Sequence, residues 1–289
     1  MTVDCPTTVV TITHNRRWEL LETLGHLTSL PERPPVIVVD NASEDGSADA
    51  VTEAYPRVRV VRAGANLGAC GRTLGVRQAT TPYVAFSDDD SWWAPGALST
   101  ARDLLAAHPR MGLLAARTRV GAAGAPDPLH GALANSPLGR APDLPGPQVM
   151  GFLACAAVVR RTAYLAVGGY HPLLFVGGEE VLLAYDLAAR GWSCCYCPQV
   201  LSVHQPSPGP RPGRRSVQRR NEVLTAWLRR PLPLALRRTW ALAADAARDP
   251  VARDALRGVL TRLPAALRDR RGLPPHVEAA AALVERGAR

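Results

Sequence analysis

Four successive strand–loop–helix units at the start of the chain restrict its fold more than any other feature. Thr7 to Thr13, Val36 to Val39, Val58 to Arg62 and Tyr83 to Ser87 are short apolar runs, each followed by polar residues and then by a helical pattern. Nearly continuous apolar runs predict strands buried on both faces, and their alternation with helices predicts a parallel sheet covered on both sides. In such sheets ligands bind beyond the carboxyl ends of the strands, where strand order reverses. His14-Asn15-Arg16, Asp40-Asn41, Asn66 to Arg72 and Asp88-Asp89-Asp90 are all expected at that edge.

The fourth unit ends on three consecutive carboxylates, followed by Trp92, Trp93 and, after Ala94, Pro95. Three like charges at a strand end repel unless a cation or hydrogen-bond donors share the charge, and Mg²⁺ or Mn²⁺ suits oxygen ligands best. Read without a ligand, the same stretch is a solvated turn with acids favouring a helix start. Trp92, Trp93, Phe152 and Tyr170 could serve as an apolar platform for a sugar or as core filling.

Composition bounds the class. The 289 residues are 47% hydrophobic, ample for a core. No run approaches the ~20 apolar residues of a membrane span, and with Asp4 and Cys5 near the start no export signal is expected. Location is therefore expected to be cytoplasmic, with membrane association left open. The six cysteines lack a secreted-scaffold pattern and are expected to be reduced. Cys194-Cys195-Tyr196-Cys197 reads as a buried strand, because adjacent residues there face opposite ways and no second pair stands at zinc-ribbon distance. Every basic side chain is arginine. The formal charge is +9; up to Pro210 the acids slightly outnumber the arginines, so the excess lies beyond it, which favours anionic partners.

Further along, Trp18, Leu21, Leu24, Leu27 and Leu30, spaced by threes, mark the first helix, and Pro95 to His108 another. Met111 to Arg119 and Phe152 to Arg160 read as strands, and Gly121 to Pro147 as a long mobile loop over the site. A helix is expected to start near Glu179-Glu180 and end at Gly191. Strands follow at Ser193 to Cys197 and Val200 to His204, then a linker at Gln205 to Gly213. The remainder is helical and basic: Val217, Leu224, Trp227 and Leu228 share a face, and a second amphipathic pattern carries Leu236 and Trp240. Packing on the main domain and docking on a membrane surface both fit these helices. The expected division is 1–210 and 211–289.

Thr13-His14-Asn15-Arg16, Val38-Val39-Asp40-Asn41-Ala42-Ser43, Asn66-Leu67-Gly68, Phe86-Ser87-Asp88-Asp89-Asp90, Gly168-Gly169-Tyr170 and Gly178-Glu179-Glu180 in this order resemble family 2 glycosyltransferases. The resemblance runs from about Val9 to His204. It implies the GT-A fold, a Rossmann-like, mostly parallel α/β sheet flanked by helices, here with a C-terminal helical extension. It also implies inverting transfer of a sugar from a nucleotide-diphosphate donor, with a divalent metal held at the aspartates.

Carried over by position, the resemblance puts Thr13, His14, Arg16, Asp40, Asn41, Asn66, Gly68, Arg72, Asp88 and Asp89 in the donor site. His14 stands where a base-stacking tyrosine is common, Asp40 and Asn41 where the base is contacted, Arg72 where the diphosphate is bound, and Asp89 near the ribose. Asp90, with Asp88 and His204, falls on the metal. Glu180 takes the place of an aspartate base, one methylene longer, with Glu179 able to share the role. The implied partners are a nucleotide-diphosphate sugar and a hydroxyl acceptor (a glycan, lipid-linked sugar or natural product), with peripheral membrane contact through the basic tail. No nucleic-acid partner is expected, since no nucleic-acid-binding signature accompanies that tail. A nucleotidyltransferase of similar sheet, or a sugar-nucleotide-binding protein without catalysis, are the competing readings.

Overall fold

The four units fold as expected into the parallel half of a sheet. They comprise β1 (Thr7–Thr13), α1 (Arg17–Thr28), β2 (Val36–Asp40), α2 (Ser47–Ala54), β3 (Arg59–Arg62), α3 (Gly71–Gln78) and β4 (Tyr83–Asp88). The structure, a computed structural model, describes residues 5–207 and 212–287. β1 pairs in parallel with both β2 and β4, so strand order reverses beside β1. Thr13 pairs with Asp40 and Ile12 with Asp88, which brings the polar carboxyl ends of three strands level.

The second half is mixed. It continues through β5 (Ser91–Trp93), α4 (Ala97–Ala107), β6 (Met111–Val120), β7 (Ala125–Pro126), α5 (Leu129–Ala134), β8 (Ala157–Arg160), α6 (Arg161–Ala166), α7 (Glu179–Ala189) and β9 (Ser193–His204). The sheet runs β3-β2-β1-β4-β8-β6-β9-β5, with β7 on β6. β8 is antiparallel to β4 and β6, and β5 is antiparallel to β9.

Three expectations change here. The two strands expected between Ser193 and His204 are one, because a register shift opposite Ala116 and Arg117 lets Pro198 and Gln199 bulge outward without breaking the pairing with β6. The segment from Gly121 to Pro147 is not a bare loop. It turns back through Gly121 and Gly124, both at positive φ, into β7 and then α5, where Asp127 accepts from the Leu129 N–H. The aromatic platform is core: Trp93, Phe152 and Tyr170 are buried, and Trp92 stacks on His26 of α1 at 3.9 Å.

Alternate residues of the strands feed two cores. Val9, Val38 and Ala85 face α1 and α4, whereas Val10, Val39, Val84 and Phe86 face α3 and α6. The second core is close-packed where α3 crosses the sheet. A β-carbon on Gly75 would stand 2.4 Å from Val10 Cγ1, so only glycine lets α3 lie this near β1 and β2.

Beyond the sheet lie α8 (Arg214–Arg229), α9 (Leu232–Ala246), α10 (Pro250–Arg268) and α11 (Pro275–Gly287). Leu224, Trp227 and Leu228 pack with Leu174 and with Leu182 of α7 in a third core, so these helices rest on the sheet domain. Leu236 and Trp240 do not join it. They are 57% and 79% exposed, and α9 packs instead through Ala235, Leu242 and Ala246. The expected division at 210/211, inside the Gln205 to Gly213 linker, falls on residues outside those described. Among the described residues no helix is long and apolar enough to cross a membrane. All six cysteines are unpaired thiols, with Cys194, Cys195 and Cys197 buried along β9.

Candidate active site

The turns after β1, β2 and β4 converge as the sheet topology requires. Past β1 the backbone passes through Asn15 at φ 55° and projects Arg16 across to the carboxylates beyond β4. Arg16 Nη1 lies 2.8 Å from Asp89 Oδ1 and 2.9 Å from Asp90 Oδ2. Asp89 turns inward, accepting from the Thr13 hydroxyl at 2.9 Å, while its backbone carbonyl accepts from Thr23. Asp90 reaches the other way. Because Ser91 of β5 pairs with His204 of β9, His204 Nε2 comes within 3.3 Å of Asp90 Oδ1.

The three acids have different surroundings. Burial pushes Asp89 up to about 7, the charge of Arg16 offsetting only part of that effect. Burial would raise Asp90 too, but His204 and Arg16 more than offset it and hold its carboxyl below the usual range. Asp88 is partly exposed and accepts from Arg72 Nη2. Arg72 is itself buried, not on a surface helix, with its guanidinium 5.7 Å from the Tyr170 ring and its Nε without a partner among the described residues. Burial alone would favour the neutral guanidine. The charges of Asp88, Glu179 and Glu180 reverse that and keep Arg72 cationic.

A second turn brings the acid pair in. Phe175, at φ 65°, and Gly177 and Gly178, at 90° and 89°, form the approach to α7. The Phe175 carbonyl accepts from the Ala69 N–H at 2.7 Å, and a β-carbon on Gly68 would stand 2.5 Å from that oxygen. Gly68 thus permits the docking that sets Glu179 and Glu180 beside Arg72. Asn41 supports the same loop, its amide donating to the Gly68 carbonyl and accepting from Leu67 N–H. Asn41 therefore holds backbone, whereas on sequence it was expected to face a base. Asp40, also buried, accepts from Ser43 N–H, and Asn66 accepts from Gly68 N–H. His14 is exposed at the rim, its Nδ1–H donating to the Asn41 carbonyl.

Glu179 is buried and its Oε2 has no partner among the described residues; Glu180 is half-buried. Burial raises both carboxyls; the charge of Glu180 raises Glu179 further, and that of Asp88 raises Glu180. Arg72, paired with Asp88 and within reach of the charges of Glu179 and Glu180, stands between the aspartate turn and the acid pair.

A carboxyl raised on folding stabilises the fold fully below its ordinary pKa of 4.5, and that contribution is lost as pH rises through the raised value. Glu179→Gln is therefore expected to raise the melting temperature more at pH 8 than at pH 5, by up to about 1–3 kcal/mol of stability. Equal shifts at the two pH values would contradict this assignment.

The chain order alone concealed one support. Asn221, fully buried on α8, donates from Nδ2 to the carbonyls of Leu174, Val176 and Gly177, the turn that delivers the acid pair. A single asparagine among arginines and apolar residues was its only signal. Asn221→Leu removes the donor to the Val176 and Gly177 carbonyls, while Leu174 keeps Arg220, and it is expected to lower turnover more than nucleotide affinity; steady-state kinetics beside nucleotide binding would show whether it does.

The aspartates and His204 are hard-oxygen and imidazole donors of the kind Mg²⁺ or Mn²⁺ accepts. In the structure Arg16 and Arg72 neutralise these acids, and among the described residues no three such side chains are grouped as a formed metal site.

With this geometry in view, comparison with known proteins is informative. The model for glycosyl transferase family 2 matches residues 8–168. N-acetylglucosaminyl-diphospho-decaprenol L-rhamnosyltransferase of Mycobacterium tuberculosis is 28% identical over 277 residues, covering 81% of this chain and 90% of that enzyme. The mannosyltransferase PcManGT from Pyrobaculum calidifontis, solved with GDP-Man and Mn²⁺, aligns with TM-score 0.55 at 23% identity, covering 99% of this chain and 80% of its own. S. aureus TarS with UDP-GlcNAc aligns at 0.60 and 16%, covering 96% and 88%. At such identities the two structures establish a shared GT-A fold.

Proposed function

Because the chain belongs to glycosyl transferase family 2, we propose that the hollow between the aspartate turn and the acid pair carries out inverting, metal-dependent transfer from a nucleotide-diphosphate sugar to an acceptor hydroxyl. The observation that carries this reading is buried Arg72, paired with Asp88 of the aspartate turn and facing the charges of Glu179 and Glu180, with Asp90 held between Arg16 and His204. Asp90, with Asp88 and His204, would hold the divalent cation, whose charge offsets that of the departing diphosphate. The PcManGT and GalNAc-T7 structures, both solved with Mn²⁺, support that choice of ion.

The chain's own residues divide the remaining work. Arg72, kept cationic, faces the diphosphate and stabilises the charge that grows on it. Arg16 releases Asp89 and Asp90 to ligand, and His14 stacks against the base. Glu180 takes the acceptor's proton as the acceptor oxygen bonds to the anomeric carbon and the bond to the diphosphate breaks. A base raised toward neutrality by burial is matched to that step, and attack from the face opposite the leaving group inverts the centre. Glu179 supports the pair electrostatically.

The named acceptor of the mycobacterial relative is lipid-linked, and we extend that class to this chain. Leu232, Leu236 and Trp240 form an outward apolar stripe on α9 beside Arg237, suited to peripheral contact with a bilayer. Co-sedimentation with anionic vesicles should be lost in Leu236→Ser/Trp240→Ser; retention would sink the membrane contact. For the reaction, a thermal-shift screen of nucleoside diphosphates and nucleotide sugars with and without Mn²⁺ is the test. Stabilisation by a nucleotide that needs Mn²⁺ is expected, and none from any nucleotide would count against the site.

A further inference from the structure

A cavity of about 710 Å³ lies away from the aspartate turn, between α5, α7, α8, α9 and α11. Leu133, Val149, Met150, Val181, Val223 and Leu242 give it a largely apolar wall. Its arginines are already matched, Arg219 with Asp245 and Asp249 and Arg238 with Glu285, so the wall offers little net charge to draw an ion. A volume of this size, apolar with few polar groups, is that of a ligand pocket.

Its position says which ligand. Gly178 and Val181 line it and bracket Glu179 and Glu180 along the chain, so the cavity adjoins the first turn of α7. Gln218 borders both this cavity and a second one lined by His204, Arg214 and Arg215. An apolar space against the first turn of α7, which carries the base, and away from the donor turns suits the acceptor. We infer that this cavity binds a hydrocarbon chain carried by the acceptor, so that a headgroup hydroxyl is presented to Glu180 while the chain lies between α5 and α9. This rests on the transferase reading above and adds the acceptor's apolar part and its seat.

Ala132 on α5 and Ala241 on α9 line the cavity yet are exposed, so a large side chain at either position fills the space without disturbing a packed core. The test is calorimetric titration of the full chain with hexyl, octyl and decyl β-glucosides below micelle-forming concentrations, beside titration with UDP, GDP and dTDP in Mn²⁺. Affinity is expected to climb with chain length, by up to about fourfold per methylene. Ala132→Trp and Ala241→Trp should each lower decyl-glucoside affinity at least about tenfold while nucleotide affinity stays within about twofold. Chain length without effect, or decyl affinity unchanged in both variants, overturns the inference. If nucleotide still binds in that case, the transferase reading stands without it. If the chain binds as expected but no nucleotide does, the cavity is upheld and the transferase reading is what fails.

Discussion

Glu180→Gln is expected to reduce kcat by about 10² to 10⁴ with little change in nucleotide affinity. Glutamine has the same shape and size, so the first turn of α7 should keep its place. What it lacks is a site for the acceptor's proton. Burial holds the native carboxyl above its ordinary value, so the wild-type rate should rise with pH through that raised value as the base ionises. In the variant the residual rate should lose this dependence. Single-turnover rates across pH, with nucleotide affinity measured on the same samples, check both halves. Native turnover by Glu180→Gln would remove the residue from the chemistry, and a loss confined to Glu179→Gln would move the base one position back.

Asp90→Asn should have the second large effect. The substitution keeps volume and removes a charge held between Arg16 and His204, while Arg16 keeps Asp89 as partner, so folding should survive. Loss of a ligand to a divalent ion should lower transfer by about 10² to 10³, several kcal/mol of transition-state stabilisation. Chelation of divalent ions should lower wild-type activity to the level of the variant and leave the variant unchanged. A Mn²⁺ titration of donor binding and rate reads this directly. An Asp90→Asn protein that responds to Mn²⁺ as the wild type does would place the ion elsewhere.

The parallel half of the sheet was legible because its strands are continuous apolar runs closed by polar clusters, a local pattern. The mixed half was less so. β5 is three residues long and pairs with Ser202–His204, more than a hundred positions away, so no local period announces it. The bulge in β9 exposes Pro198 and Gln199, and on sequence alone they divide one strand into two. In α1, a spacing by threes from Trp18 marked the helix but not its inner face, since a 3.6-residue turn carries such a series round the helix. Leu20, Thr23, Leu24 and Leu27 are the buried set, and Trp18 is 77% exposed.

Among site residues, acids at strand ends were readable because like charges in a row demand an explanation. Partners brought from afar were not: Arg16 across Asp89 and Asp90, and Asn221 beneath the turn before Glu179, depend on tertiary closure. Asn41 shows the opposite error. A side chain able to donate and accept suggested base recognition, yet the loop at Leu67 and Gly68 occupies both functions.

The most direct test of the account is what wild-type protein releases from a panel of nucleotide-diphosphate sugars in the presence of Mn²⁺. Nucleoside diphosphate without sugar 1-phosphate is the predicted product, since cleavage should fall between the sugar and the diphosphate. Release of sugar 1-phosphate would contradict the account and mark the hollow as a nucleotidyl-transfer site.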